Sequence, residues 1–202
     1  MNNKSTLDLL DEVRAIAQQG INHTKDMYDL QRYQRLLELA AQHYAEHTQL
    51  PSNEVRLRFE KELGYITPKI GVQGAIFNDA GEILLEKRLD DSLWGILGGW
   101  VEVGETPEDA FKREVLEEAN LVVGDLELID FYTRLPGKHN QPHTSIHVLY
   151  FCKQVSGTLK KSFESLDLRY CDHRAIHHWH KDHQGQAEKA HQHWLEVVKY
   201  AR

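Results

Sequence analysis

Glu114, Glu117 and Glu118 stand at i, i+3 and i+4 in the run 99–121, GWVEVGETPEDAFKREVLEEANL. At about 100° per residue, a helix carries all three within roughly 100° of arc on one face. Like charges so placed cost a bare helix about 0.2–0.5 kcal/mol per facing pair. Glu102 and Glu105, just upstream, add to the repulsion. A hard divalent cation takes carboxylate oxygens and relieves it. Water on a solvated acidic face relieves it as well. Three glutamates alone do not separate these two readings.

The residues around them predict a loop that runs into a short helix. Thr106 is a good N-cap, Pro107 suits the first helical position, and Asp109 can complete a capping box. Acidic residues in that first turn also suit the positive end of the helix dipole. Asn120 is a plausible left-handed stop.

The fixed spacing goes further. Gly99, five residues, Glu105, seven residues and then Arg113-Glu114-Val115-Leu116-Glu117-Glu118-Ala119-Asn120-Leu121 resembles the Nudix box of the Nudix hydrolases. One fixed position departs: Asn120 stands where the box has its last glycine. Asn is the next-best residue for a left-handed conformation, so the departure is tolerated.

The resemblance implies an α/β fold, an α-β-α sandwich with a mixed sheet. It implies hydrolysis of the phosphoanhydride in a nucleoside diphosphate linked to another moiety, X. That substrate is anionic, and Mg²⁺ or Mn²⁺ suits all-oxygen ligands and offsets the charge. By position in the box, Glu114 and Glu118 are the first-choice metal ligands, Glu117 comes next, and the Gly99 carbonyl completes the set. Arg113 pairs with a box carboxylate and orients it, and Glu105 braces the loop by hydrogen bonding rather than binding metal. The general base is either a box glutamate, Glu117, or Glu164, which sits where a later-loop carboxylate falls in some members. Glu164 reads equally well as an exposed strand-edge residue. Arg88 is a candidate phosphate contact, since guanidinium binds phosphate bidentately, or else a solvated arginine. Trp94 and Trp100 flank the box glycines and either stack on a base or pack in the core.

Composition narrows the classes. A length of 202 residues allows one large domain, or one standard domain with an appendage, and 41% hydrophobic residues support a real core. A net charge of −7 argues against a nucleic-acid backbone as main partner, yet leaves a phosphorylated small molecule open, because metal can bridge anion to anion. Cys152 and Cys171 give no disulfide framework. With no signal peptide and no membrane-spanning apolar run, the expected location is cytoplasmic.

Two domains are expected, a helical one at 1–63 and a hydrolase domain at 64–202. In the first, Ser5 or Thr6 caps a helix with Leu9, Val13, Ile16 and Ala17 inward, ending at Gly20. Asp29 caps a second, with Leu30, Tyr33, Leu36, Leu37, Ala40 and Tyr44 on one side. A third opens at Pro51-Ser52, carries Val55, Leu57, Phe59 and Leu63 inward, and stops at Gly64. So small a set of helices holds no sizeable core alone and should pack on the following domain or on a second subunit. With its stretch AIAQQGINHTKDMYDLQRY, this portion resembles the helical N-terminal extension of a Nudix subgroup acting on nucleoside diphosphates linked to X. The subgroup includes CDP-choline pyrophosphatases and relatives named ADP-ribose pyrophosphatases, and it implies a homodimer. CDP-choline is therefore the first-choice substrate and ADP-ribose the second. The rival readings are a non-catalytic nucleotide-sensing module and a hydrolase of RNA ends.

From Thr67 the period changes to that of strands. Runs at 68–77 and 83–85 flank the turn signal Asn78-Asp79-Ala80-Gly81 and predict a hairpin. Further runs at 126–135, 145–155 and 163–170 follow, with a Gly/Pro/His-rich loop at 136–144. A terminal helix at 186–200 is expected to turn Ala190, Trp194, Val197 and Val198 inward. Among the 13 histidines, the group at His177, His178, His180, His183, His191 and His193 lacks the partners and spacing of a structural zinc site and reads as a polar surface segment.

Overall fold

The structure, a computed structural model, describes residues 5–62, 66–137, 139, 143–152 and 154–200, the last three as backbone only. The expected roles of Leu63, Gly64 and the Val198 side chain lie outside the described residues. The chain forms two compact units, Met1–Lys69 with Thr133–Ser145, and Ile70–Tyr132 with Ile146–Arg202.

Three helices make the first unit: α1 Thr6–His23, α2 Met27–Thr48 and α3 Ser52–Glu60. Ser5 and Asp8 close a capping box on α1: the Ser5 Oγ accepts the Asp8 N–H at 3.2 Å, and the Asp8 carboxylate accepts the Ser5 N–H at 2.9 Å. The cap of α2 is Asp26, not Asp29; its carboxylate accepts the Asp29 N–H at 2.9 Å, which places Asp29 inside the first turn. Leu10, Ala17, Leu37, Ala41, Tyr44, Val55 and Phe59 form the core of this unit.

The inward face of α1 is turned from the one its apolar residues predict. Leu10, Arg14, Ala17 and Gln18 are buried, whereas Leu9 and Ile16 are exposed. The reason lies at the end of α3, whose last carbonyls lack helical partners. The Gln18 amide donates to the Phe59 and Glu62 carbonyls at 2.5 and 3.0 Å. Arg14 lies over the Phe59 ring at 4.6 Å and pairs with Asp11 at 3.1 Å. Polar side chains with internal partners thus take the inner face. Leu57, expected inside, is exposed, because Val55 and Phe59 carry the buried face of α3.

In the second unit, strands assemble in the orders β1-β6-β5 and β3-β2-β8, with a small β4-β7 pair. Their ranges are β1 Lys69–Ile76, β2 Ile83–Arg88, β3 Trp94–Ile96, β4 Leu121–Val123, β5 Leu126–Arg134, β6 Ser145–Cys152, β7 Val155–Gly157 and β8 Ser165–Cys171. The expected hairpin is reduced to a bridge between Phe77 and Ile83, because both edges of β2 are taken by β3 and β8 in antiparallel register. The single strand expected at 145–155 is divided, since Val155–Gly157 turns away to pair with β4.

Helix α4, Pro107–Ala119, buries Ala110, Phe111, Val115 and Ala119 against Val72, Leu84, Leu97, Val148 and Tyr150. Helix α5, His183–Tyr200, buries Ala187 and Ala190 against Ala75, Ile83, Leu85, Trp94 and Ile96. Successive β2 residues thus face α4 and α5 alternately, as a strand requires. The architecture is an α-β-α sandwich. Among the described residues, no helix is long and apolar enough to cross a membrane.

Candidate active site

Strand alternation carries Leu84, Glu86 and Arg88 to the α4 side of β2. Leu84 joins the α4 core; Glu86, two residues on, is 3% exposed, and its carboxylate accepts the Ser165 hydroxyl at 2.6 Å. From α4, Glu118 enters the same region at 8% exposure and accepts the Gly98 N–H at 3.0 Å. Gly98 has φ +142°, and a Cβ there would overlap the Val72 carbonyl. A Cβ on Gly99 would overlap the Glu114 carboxylate, so the loop backbone lies directly against that side chain. The helix itself starts as its sequence dictates: Thr106 Oγ1 accepts the Asp109 N–H at 3.2 Å, and Asn120 ends it at φ 55° and ψ 34°.

Arg113 ties the loop to the helix. Its Nε and Nη2 donate to the two Glu105 oxygens at 2.8 and 3.1 Å, Nη1 to Glu114 at 2.9 Å and Glu117 at 3.2 Å, and Nη2 to the Trp100 carbonyl at 3.1 Å. Glu105 also accepts the Glu102 N–H at 3.1 Å, and its carboxyl is held below the usual range by Arg113 and by that bond. Glu117 sits on the outer edge of this group, its side chain exposed.

Residues 158–164 close the other side. Asn120 Nδ2 donates to the Thr158 carbonyl at 2.9 Å, Lys160 N–H to the Ala119 carbonyl at 3.0 Å, and Ser162 N–H to the Glu118 carbonyl at 3.1 Å. The last two satisfy carbonyls that the end of α4 leaves open. The Glu164 N–H then donates to Ser162 Oγ at 3.1 Å, and its carbonyl accepts the Leu89 N–H at 2.8 Å. The strand expected from 163 therefore starts at Ser165. Glu86, Arg88, Glu118 and Glu164 line a cleft of about 290 Å³, with Leu89, Asp90 and Phe163 at its remaining walls.

Burial pushes the Glu86, Glu114 and Glu118 carboxyls above their ordinary range, Glu118 furthest, and the groups raise one another: Glu118 feels Glu86 and Glu114, and Glu86 feels Glu164. Arg88, which eases Glu86 and Glu118, is itself engaged by Asp90 through Nε at 3.0 Å and Nη2 at 2.8 Å. Crowded, desolvated carboxylates are the donor set of a hard divalent cation. As the side chains stand, no three His, Cys, Asp or Glu residues among those described enclose an ion, and Glu114 is turned to Arg113. The Gly99 carbonyl accepts the Val72 N–H at 2.8 Å, which leaves it a second lone pair. The donor chemistry fits such an ion.

The two tryptophans part. Trp94 is buried in the α5-side core with Arg169 over its ring at 4.8 Å, so the structure does not put it in the cleft with the box glutamates. The reason is again alternation, which turns Trp94 and Ile96 to α5. Trp100 stays exposed beside His147, their ring centroids 5.6 Å apart. Glu86, Asp90 and Ser165 were not foreseen, although the Leu84-Glu86-Arg88 alternation carries the signal for Glu86. Nor is the histidine segment wholly surface: His183 is buried, accepts the Ile96 N–H at Nδ1 (3.0 Å), and lies 2.7 Å from the Gln73 amide through Nε2.

Comparison with known proteins agrees with this geometry. Residues 67–195 match the NUDIX domain, and residues 4–59 match the UDP-X-like, N-terminal oligomerisation domain. YjhB of Bacillus subtilis (strain 168), provisionally named an ADP-ribose pyrophosphatase, is 30% identical over 160 residues, 79% of this chain and 76% of that protein. An ADP-ribose pyrophosphatase of Methanocaldococcus jannaschii is 32% identical over 111 residues, 54% of this chain and 64% of that protein. Among solved structures, a UDP-X diphosphatase superposes with a TM-score of 0.55 at 22% identity, covering 95% of this chain and 94% of its own, a likeness of fold. With the box, the sandwich and both domain matches in hand, the chain belongs to the Nudix hydrolase family, as a pyrophosphatase whose catalytic domain follows a UDP-X-like helical one.

Proposed function

We propose that the protein hydrolyses a nucleoside diphosphate linked to X, giving a nucleoside monophosphate and phosphorylated X, with Mg²⁺ or Mn²⁺. The observation that carries this reading is the buried Glu86–Glu118 pair in a cleft that also holds Arg88 and Glu164. Relatives named for ADP-ribose, and a domain and a fold neighbour named for UDP-X, favour those substrates; CDP-choline, the first choice on the resemblance, stays in the same class.

Glu114, Glu118 and Glu117, with the Gly99 carbonyl, would hold the metal. When bound, it neutralises phosphoryl oxygens and acidifies water. Arg88 exchanges Asp90 for a substrate phosphate oxygen pair, both being bidentate partners of its fork. Glu164 accepts the proton of the attacking water as that oxygen bonds to phosphorus and the bridging P–O bond breaks; Glu117 is the alternative base. Arg113 keeps Glu114 and Glu105 in register and takes no proton. Release of monophosphate from ADP-ribose, UDP-glucose and CDP-choline, with metal and with chelator, tests the reading. No turnover of any of them would favour a nucleotide sensor.

The same proposal makes residues 1–63 a dimerisation domain, residues 64–202 the hydrolase domain, and the cytoplasm the place of action. The inverted α1 supports the first part: it exposes Leu9 and Ile16, seven residues apart on one face, while burying Arg14 and Gln18. On a segment that matches an N-terminal oligomerisation domain, this pair supports a contact surface. Leu9→Glu with Ile16→Glu should yield a folded monomer by light scattering; an unchanged mass would remove α1 from the interface.

A further inference from the structure

We propose that Phe163 is the platform on which the substrate's nucleobase stacks, an affinity element resting on the reading above. Phe163 is 86% exposed, yet it is not on a loose loop. Bonds at Thr158, Lys160 and Ser162 fix the segment before it to the end of α4, and the residue after it is held at both N–H and carbonyl. A large apolar ring thus stands in water on a segment anchored on both sides of it.

Its place gives the ring a partner. Phe163 and Leu89, which is 55% exposed, are the apolar walls of the cleft whose other walls are Glu86, Arg88, Asp90, Glu118 and Glu164. At about 290 Å³, that cleft lies below the roughly 300–1,000 Å³ that encloses a whole drug-sized ligand. It takes a diphosphate and leaves the rest of the substrate across the rim. A phenyl ring offers nothing to charged phosphates and little to ribose hydroxyls, so the substrate group with matching chemistry is the planar base. Every base has a π-face, and Phe163 has no donor or acceptor with which to read an edge. The platform therefore supplies affinity without choosing among adenine, uracil and cytosine.

The test is titration calorimetry of the full-length protein with Mg²⁺, using AMP, UMP, CMP and base-free ribose 5-phosphate, beside KM and kcat for the three substrates above. Phe163→Ala should weaken all three nucleotides by about 10- to 100-fold, the usual effect of removing a stacking side chain, and should leave ribose 5-phosphate within about twofold. The loss in turnover should fall on KM rather than kcat, and Phe163→Trp should restore binding. Equal weakening of ribose 5-phosphate, an effect confined to one base, unchanged nucleotide affinities or no binding to the wild type would each overturn the platform. If wild type turns over no substrate yet Phe163→Ala still loses only the nucleotides, the hydrolase reading falls and the platform stands. If turnover is normal and the alanine variant is unaffected, the platform alone falls.

Discussion

Glu118→Gln should fold normally and lose at least about 10²–10³-fold in kcat/KM, the scale on which removal of one preorganised electrostatic group acts. Gln keeps the size of the side chain and an oxygen to accept the Gly98 N–H at 3.0 Å, so the loop keeps its anchor. What it loses is a negative charge at a buried carboxylate of the site, and with it an oxygen donor for a hard cation. Activity within tenfold of wild type would remove Glu118 from the machinery.

The same substitution should raise stability in the presence of a chelator. Burial holds the Glu118 carboxyl well above its ordinary 4.5, and Glu86 and Glu114 push it further. A folded-state value above the unfolded one means that the native state binds the proton more tightly. The stability this group contributes is then full below the unfolded value and is lost as pH rises through the folded one. Glu118→Gln has no such loss. Its melting temperature in chelator should match wild type near pH 4.5 and exceed it at pH 8. Equal melting temperatures at pH 8 would show that the carboxylate is not strained by its surroundings. A gain in stability joined to a loss of turnover is the signature of a group kept for chemistry at the expense of the fold.

How far the sequence foretold this site depends on which interactions are local. The α4 helix was legible from Thr106 to Asn120, because caps, the dipole and a left-handed stop act within a few residues. The Arg113 fork was legible as a partner of box carboxylates, since four residues along a helix bring side chains together. Glu86 was not, because its environment is made by Ser165 and α4, both distant in the chain. The rotation of α1 was hidden for the same reason: apolar periodicity alone favours Leu9 and Ile16 inward, and the partners that draw Gln18 and Arg14 to that face, the Phe59 and Glu62 carbonyls for one and the Phe59 ring for the other, lie on or just after α3. Likewise, the pattern at 68–85 contains a genuine turn, but which strand pairs with which is decided by β3 and β8. Local chemistry is written in the sequence where it acts. Burial of a charge is written only in what surrounds it.

Gly98→Ala should be the most damaging small substitution to the fold of the hydrolase unit. At φ +142° the backbone occupies a region that L side chains rarely enter, and the added methyl would overlap the Val72 carbonyl and the Gln73 Cα, backbone atoms that cannot swing aside. Strain at such a residue is worth about 1–3 kcal/mol and forced overpacking about 1–3 kcal/mol more. Together, roughly 2–6 kcal/mol is a large part of the 5–15 kcal/mol that holds a typical domain. Relief by moving the loop would carry the Gly98 N–H away from Glu118 and break the bond at 3.0 Å that aims that carboxylate. Expression at low temperature followed by urea unfolding should therefore show a loss of stability of that size, and any variant that survives should also bind manganese more weakly than wild type by calorimetry. The contrasting control is Gly104→Ala, whose φ of +94° carries the same kind of backbone strain but whose added Cβ meets nothing within 4 Å. It should cost only the strain and leave manganese affinity unchanged; if the two alanine variants behaved alike, the packing of Val72 against the loop would not be what holds Gly98 in place.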